Sequence, residues 1–312
     1  MNTLLLFAAV PTWIKPLWMV GLGALAVLGL LVLIVVLLRQ FVPSVAAVAA
    51  TTCKEALSQP LFYVLLAVGS FLLIFMPFVP FNTFGEDVKV LKESGLQLIM
   101  VLSIGMAVWT SSVSISEEIE GRIALTLLSK PLGRPQFVLG KFLGIVAPVA
   151  LMFLVLGTLF LSSVSYKVVF ESRETATPDP TAQDCIREIV QIAPGLLLAF
   201  MEAVVLTAIG VAISTRLPMV PNLILCASVY LLGHLTPTLV ASASSQFEIP
   251  FFVAELLAIV LPSLETFNVY PAIATGHEVS LDYLGTAAVY CLLYTAVAML
   301  LALLLFEDRD LA

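Results

Sequence analysis

The charged side chains suited to recognising a partner are concentrated in one short part of this chain, residues 116–141. If residues 116–130 form a helix, Ile119, Ile123 and Leu127 fall on one stripe and Ser129 lies opposite. A proline ends this helix, because its ring cannot continue one. The polar and turn-forming members of the cluster are Glu117, Glu118, Glu120, Gly121, Arg122, Lys130 and Pro131. Such an amphipathic helix between two apolar runs is suited to docking a protein partner.

One acidic residue, Glu202, stands alone inside the apolar run of residues 192–215. If that run crosses a bilayer, Glu202 lies near the midplane, where an ionised carboxylate costs about 2.5–3.5 kcal/mol. Its side chain must therefore face protein or water, or be protonated. Two interpretations stay open: Glu202 lines the route of a transported substrate, or it is a neutral acid that joins two helices by a hydrogen bond. His234, in the next apolar run, is expected to be a packing residue.

The other reactive residue types form no catalytic or metal-binding pattern. The chain has two histidines, which argues against a histidine-based metal cluster or triad. Its four cysteines have no Cys-x-x-Cys spacing, so neither a zinc site nor a disulfide is expected. Residues 133–142 lack the spacing and the final hydroxyl of a phosphate-binding loop. We therefore expect a non-catalytic chain without a cofactor or metal, and any ATP-driven motor must be another polypeptide.

Membrane spans are the elements that must position these residues. Hydrophobic residues make up 61% of the 312 residues and charged residues 11%, against roughly 45–50% and about 25% in soluble domains. A helix needs about 20 mostly apolar residues to cross a bilayer. Seven runs qualify: residues 17–38, 61–81, 94–116, 142–166, 192–215, 219–240 and 283–306. Residues 250–262 are too few to span and are expected to form a re-entrant or interfacial helix.

The distribution of basic residues predicts the orientation of these spans. Eight of the 14 Lys and Arg residues fall on the side of residues 116–141 and six on the other, so we expect that side to be cytoplasmic. The first span is too long for a signal peptide, no Lys or Arg precedes the short apolar run at residues 4–10, and Lys15 is the only basic residue before residue 17. We therefore expect an N-terminal membrane helix, with the N-terminus outside. Residues 167–188 form the clearly polar loop on the outer side, and Cys185 lies in it.

Residues 44–59, between Pro43 and Pro60, are expected to form a helix in the plane of the membrane interface. Its polar arc contains Thr51, Lys54, Glu55 and Ser58, and its apolar arc contains Val45, Ala49, Cys53, Ala56 and Leu57. Whether this helix contacts a partner or is a simple linker stays open. Further along, Gly140 and Gly144 are spaced for a close helix contact or a flexible corner.

The run Glu117 to Arg122, the run Leu127 to Pro131 and the step Gly140-Lys141 resemble the membrane permease subunits of ABC transporters of the type-two exporter class. The resemblance covers most of residues 43–312. It implies that residues 117–131, the coupling segment, rest on a separately encoded ATPase, and that residues 44–59 are the elbow helix at the cytoplasmic leaflet. Residues 261–268 are similar to a Leu-Pro-x-Leu-Glu-x-Phe-Asn pattern of one branch, which includes the copper-processing permease of nitrous-oxide reductase maturation.

These observations together predict an all-α, polytopic membrane helix bundle with six core spans, an extra N-terminal span, a coupling helix and an elbow helix. The expected domains are residues 1–42, the extra helix, and residues 43–312, the permease. The expected function is ATPase-driven transport of an unknown substrate across the cytoplasmic membrane. The expected partners are the ATPase, a second permease copy and the bilayer, without nucleic acid. The alternatives are a secondary transporter that uses Glu202 and a non-transporting subunit that relays ATPase motion to an outer partner.

Overall fold

The computed structural model describes residues 11–79, 86–120, 133–175, 178–242, 252, 255–256 and 258–307. Within these ranges the chain is helical and contains no β-strand, which confirms the predicted all-α class. Two short 3₁₀ turns, Met76–Phe78 and Leu264–Phe267, occur between helices. In chain order the main helices are α1 (Leu17–Phe41), α2 (Pro43–Ser58), α3 (Pro60–Phe75), α4 (Asp87–Glu120), α5 (Arg134–Glu174), α6 (Ala182–Ser214), α7 (Met219–Ser242), α8 (Tyr270–Ala274) and α9 (Leu281–Glu307).

Seven of the described helices, α1, α3, α4, α5, α6, α7 and α9, are long and apolar enough to cross a membrane, as the sequence predicted. Several extend well past their apolar runs, and α5 has 41 residues. At 1.5 Å per residue α5 is about 60 Å long, roughly twice the hydrocarbon core of a bilayer. Its ends therefore project from the membrane. A scan for uncharged residues cannot detect such ends, because a helix continues through charged residues outside the lipid.

The prediction of a polar loop over residues 167–188 is wrong in its length. In the structure α5 continues to Glu174 and α6 begins at Ala182, so the loop is shorter. A capping box starts α6: the amide and the hydroxyl of Thr181 both donate to Asp184 Oδ2, each at 2.8 Å. Cys185 consequently lies in the first turn of α6, where it is fully buried beside the carbonyl of Ser165.

The core of the bundle is formed by α4, α5 and α6. In their most apolar stretches 56–61% of the residues are buried, compared with 6% in α1 and 22% in α3. The helix α9 packs on α6, and α2 packs on α5. The large apolar side chains that remain exposed on α1, α3 and α9 form an apolar surface of the kind that a bilayer requires.

The contact between α2 and α5 depends on two glycines of α5. A Cβ atom on Gly140 would come within 2.6 Å of Val48 Cβ, and one on Gly144 would come within 2.6 Å of Thr52 Cβ. Both glycines lie inside the continuous helix α5 rather than at a corner. The pair is therefore a close helix contact, the first of the two interpretations that the sequence allowed.

The predicted helix at residues 44–59 is present as α2, but its buried face differs from the predicted arc. Val45 and Ala56 are buried as expected, whereas Ala49 and Cys53 are only partly buried. Val48 and Thr52 are buried instead. The difference arises because α2 packs against the two glycines of α5, which accept Val48 and Thr52 directly. The sequence-based prediction considered only lipid as the apolar neighbour of α2.

Candidate functional site

The helix α4 carries the first residues of the coupling segment. It continues without a break from the membrane span to Glu120, so residues 116–120 extend the span rather than begin a separate helix. The side chains of Glu117, Glu118, Ile119 and Glu120 lie outside the described residues, as does the whole of residues 121–132. The predicted contacts of Gly121, Arg122, Ile123, Leu127, Lys130 and Pro131 therefore stay predictions.

A buried lysine connects the helices that flank the coupling segment. Lys141, on α5, is 2% exposed, and its Nζ donates to Ser114 Oγ on α4 at 2.8 Å. The same Nζ lies 3.8 Å from Glu55 Oε2 on α2, and this oxygen accepts from Ser114 Oγ at 3.2 Å. These three side chains join α2, α4 and α5 at one end of the bundle, which we call the coupling end.

Sequence reasoning missed this cluster. It counted Lys141 as a basic residue on the cytoplasmic side and as part of the Gly140-Lys141 step, and it placed Glu55 on the polar arc of α2. The available signal was the position of Lys141 directly after Gly140, since a residue beside a close helix contact has little access to water. A buried ammonium group needs hydrogen bonds or an opposite charge, and Ser114 and Glu55 supply both.

The opposite end of the bundle, formed by the starts of α4 and α6 and the end of α5, holds two further buried lysines. Lys167 is 1% exposed and pairs with Asp87 Oδ2 at 2.9 Å. Lys92, 3% exposed, forms an ion pair with Glu188 of α6. The carboxylate of Glu171 also accepts from the amides of Asp87 and Val88, at 3.0 and 3.2 Å, at the start of α4. Acids at a helix N-terminus are favourable because the first amides have no intrahelical partner.

Glu202 lies in the middle of α6 and is fully buried. Neither of its carboxyl oxygens has a hydrogen-bond partner among the described residues. The nearest polar atom is His234 Nε2 on α7, which lies 3.4 Å from Glu202 Oε1, an ion-pair distance without hydrogen-bond alignment. The structure therefore brings together two residues that sequence reasoning treated separately. Their positions on different helices gave no signal of this proximity.

A chain segment turns inward above this pair. In residues 262–274, the inward segment, Leu264 packs against Gly233, where an added Cβ would lie 2.8 Å from Leu264 Cγ. Ile273 packs against Gly195 of α6, where an added Cβ would lie 2.4 Å from Ile273 Cδ1. The Ser263 amide donates to the hydroxyl of Tyr290 on α9 at 2.8 Å. The segment is thus bound to α6, α7 and α9.

The described residues 252, 255, 256 and 258–260 are helical and exposed, and Pro262 is buried. The expectation of a re-entrant or interfacial helix at residues 250–262 stays a prediction. The Leu-Pro-x-Leu-Glu-x-Phe-Asn pattern begins the inward segment, and its Leu264 and Phe267 are fully buried. The apolar positions of the pattern therefore anchor the segment, while Glu265 stays exposed.

Comparison with known proteins agrees with this architecture. A family model described as ABC-2 family transporter protein matches residues 87–311, which is more than half of the chain. The match begins at the first residue of α4 and includes α4 to α9, the coupling segment and the inward segment. No match was found among curated proteins. The chain therefore belongs to the ABC-2 family of transporter proteins.

Proposed function

We propose that this chain is the membrane permease of an ABC transporter that works as a dimer in the cytoplasmic membrane and is driven by a separately encoded ATPase. Family membership supports the transport role. The proposal adds that the coupling segment, from Glu117 to Pro131, rests on the ATPase. It further adds that residues 43–312 form the permease unit, with residues 1–42 as an additional span.

The observation that carries this proposal is the Lys141 cluster. A movement of the coupling segment must pass through the end of α4 or the start of α5, because these helices flank it. Lys141 and Ser114 join those two flanks by a 2.8 Å hydrogen bond. Glu55 extends the connection to α2. Pushing the coupling segment would therefore move α2, α4 and α5 together.

Glu202 marks the proposed route of the substrate through the bundle. It is a fully buried acid in the middle of a core helix, and membrane acids of this kind usually face a pathway or a binding partner. Its complete burial corresponds to a route that is closed at this point. Glu202→Ala should remove substrate-stimulated ATP turnover while folded protein is retained. Full stimulation in that variant would remove Glu202 from the route.

Co-purification of the permease with its ATPase tests the coupling assignment. Ile123→Asp places a charge on the stripe proposed to enter the ATPase, which should cost several kcal/mol at a buried contact. The ATPase should then no longer co-purify. Ser129→Asp introduces the same charge on the opposite side and should leave binding intact. Unchanged ATPase binding and ATP turnover in Ile123→Asp would contradict the assignment.

The family match favours an ATPase-driven permease over a secondary transporter. A subunit that relays ATPase motion to an outer partner without transport would also retain ATPase binding. Reconstituted vesicles separate these two functions, because only a permease moves substrate into or out of the lumen when ATP is supplied.

A further inference from the structure

The contact between Glu202 and His234 has an unusual balance of donors and acceptors. His234 Nδ1 lies 3.2 Å from the backbone carbonyl of Tyr230, one turn earlier in α7. A carbonyl oxygen only accepts, so Nδ1 must carry the hydrogen. A neutral imidazole with hydrogen on Nδ1 has a bare Nε2, which is an acceptor. This bare nitrogen would face Glu202 Oε1 at 3.4 Å.

Two facing acceptors in a buried site are unfavourable, and one proton removes the conflict. With a proton on the carboxyl group, Glu202 can donate to Nε2 after a small rotation that aligns the two groups. With the proton on Nε2, an imidazolium faces a carboxylate. Both arrangements contain one shared proton and have no net charge. If this proton is lost, Glu202 becomes a buried carboxylate that no hydrogen-bond donor stabilises.

Among the described residues, no basic side chain other than His234 pairs with Glu202 to neutralise it. No lysine or arginine of the described residues forms an ion pair with it. On α5, the neighbouring contact to α6 is apolar, between Phe153 and Phe200. The remaining titratable groups near the pair are neutral hydroxyls, a thiol or an exposed acid: Tyr230 on α7, Tyr270 on α8, Cys291 on α9 and Glu265 in the inward segment.

We propose that Glu202 and His234 form a binding site for one proton between α6 and α7, beneath the inward segment. With the proton bound, the two helices pack around a neutral pair. Loss of the proton leaves one negative charge in the interior, and uptake of a second leaves one positive charge. Either change weakens the packing of α6 against α7.

The proton site is structurally linked to the inward segment. His234 follows Gly233, and Gly233 is the residue on which Leu264 and the Pro262 carbonyl rest. A shift of this turn of α7 would therefore alter both the contact with Glu202 and the packing of the inward segment on Gly233. Such linkage is reciprocal. Detachment of the segment changes the proton affinity of the pair by the same factor by which protonation changes the equilibrium constant for packing of the segment. The proposal does not depend on the identity of the substrate or on the substrate route.

Nitrogen-15 NMR of the imidazole groups tests the site directly, because the chain contains two histidines. His277→Gln removes the exposed one and leaves His234 as the only signal. The full-length variant in lipid bilayers should keep hydrogen on Nδ1 across the pH range. Replacing Glu202 by Gln should change the pH dependence of the Nε2 signal, whereas Glu278→Gln, which removes an exposed acid, should not. A signal with hydrogen on Nε2 and a bare Nδ1 throughout would overturn the proposal, even if the Glu202 variant fails to fold.

Thermal unfolding in lipid nanodiscs measures the consequence for packing. The wild-type midpoint should fall towards alkaline pH, because proton loss leaves the buried carboxylate. Glu202→Gln should show a flatter profile, since an amide can donate to Nε2 without titrating. Glu278→Gln removes an exposed acid that is not among the charges acting on Glu202 and should keep the wild-type profile. Equal pH profiles for the wild type and Glu202→Gln would contradict the proposal, whatever their absolute midpoints.

Discussion

Both ends of the bundle bury lysines, but they neutralise them differently. At the opposite end Lys167 contacts Asp87 at 2.9 Å and Glu174 at 3.5 Å. At the coupling end Lys141 donates to Ser114 Oγ at 2.8 Å, and the carboxylate of Glu55, which is 39% exposed, lies 3.8 Å away. The described contacts therefore differ in kind: the lysine at the opposite end contacts two carboxylates directly, whereas Lys141 shares a serine hydroxyl with a partly exposed carboxylate. The second arrangement lies at the end on which we propose that the ATPase acts.

The largest effect is expected at the opposite end. Lys167→Met leaves the buried Asp87 carboxylate without its lysine, which should destabilise the protein by about 3–5 kcal/mol. Thermal unfolding in nanodiscs measures this loss. Lys89→Met is the matched control, because the Lys89–Glu86 pair is exposed and such pairs contribute about 0–1 kcal/mol. Equal losses in the two variants would show that burial of the pair does not matter.

A smaller loss is expected for Lys141→Met at the coupling end. A hydrogen bond to a charged group contributes about 1.5–3 kcal/mol, and the exposed Glu55 carboxylate can be hydrated once the lysine is gone. The variant should still bind the ATPase but should transmit its motion poorly, which ATP-driven transport in vesicles measures. A stability loss as large as that of Lys167→Met would remove the distinction between the two ends.

The glycine contact at the coupling end predicts an effect of about 1–3 kcal/mol. In Gly144→Ala the new Cβ would lie 2.6 Å from Thr52 Cβ and 2.8 Å from the Ala49 carbonyl, so α2 must move away from α5. Gly105→Ala in α4 is the control, because nothing lies within 4 Å of its added Cβ. That change should be neutral or stabilising, since alanine favours helices. Equal midpoints for both variants would contradict the close contact.

The smallest effect concerns thiol labelling. Burial raises the pKa of the Cys53 thiol, so little thiolate is present at neutral pH and labelling by a membrane-impermeant maleimide should be slow. The labelling rate should rise with pH. If the coupling end is cytoplasmic, Cys53 should be labelled only after the cells are permeabilised. Cys185, although near the opposite end, should stay unlabelled because it is fully buried. Rapid labelling of Cys53 in intact cells would invert the orientation.

The sequence predicted the elements well and their partners poorly. The seven spans and α2 followed from apolar run length and from the two prolines that bracket residues 44–59. The pairs Glu202–His234 and Lys141–Ser114 did not, because each joins two different helices, and only the register of packing between those helices brings the side chains together. The spacing of Gly140 and Gly144 was a partial signal, because it predicted a close helix contact but did not identify α2 as the partner helix. The binding stripe of the coupling segment lies outside the described residues and stays a prediction.

Photo-cross-linking along the coupling segment tests the central claim most directly. A photoreactive amino acid would be placed in turn at positions 118, 119, 123, 127 and 129 of the full-length protein, in membranes that contain the ATPase. The account predicts adducts with the ATPase from Ile119, Ile123 and Leu127, and few from Glu118 and Ser129. Adducts from none of these positions, or equal yields from all five, would contradict a helix that docks on the ATPase through one stripe.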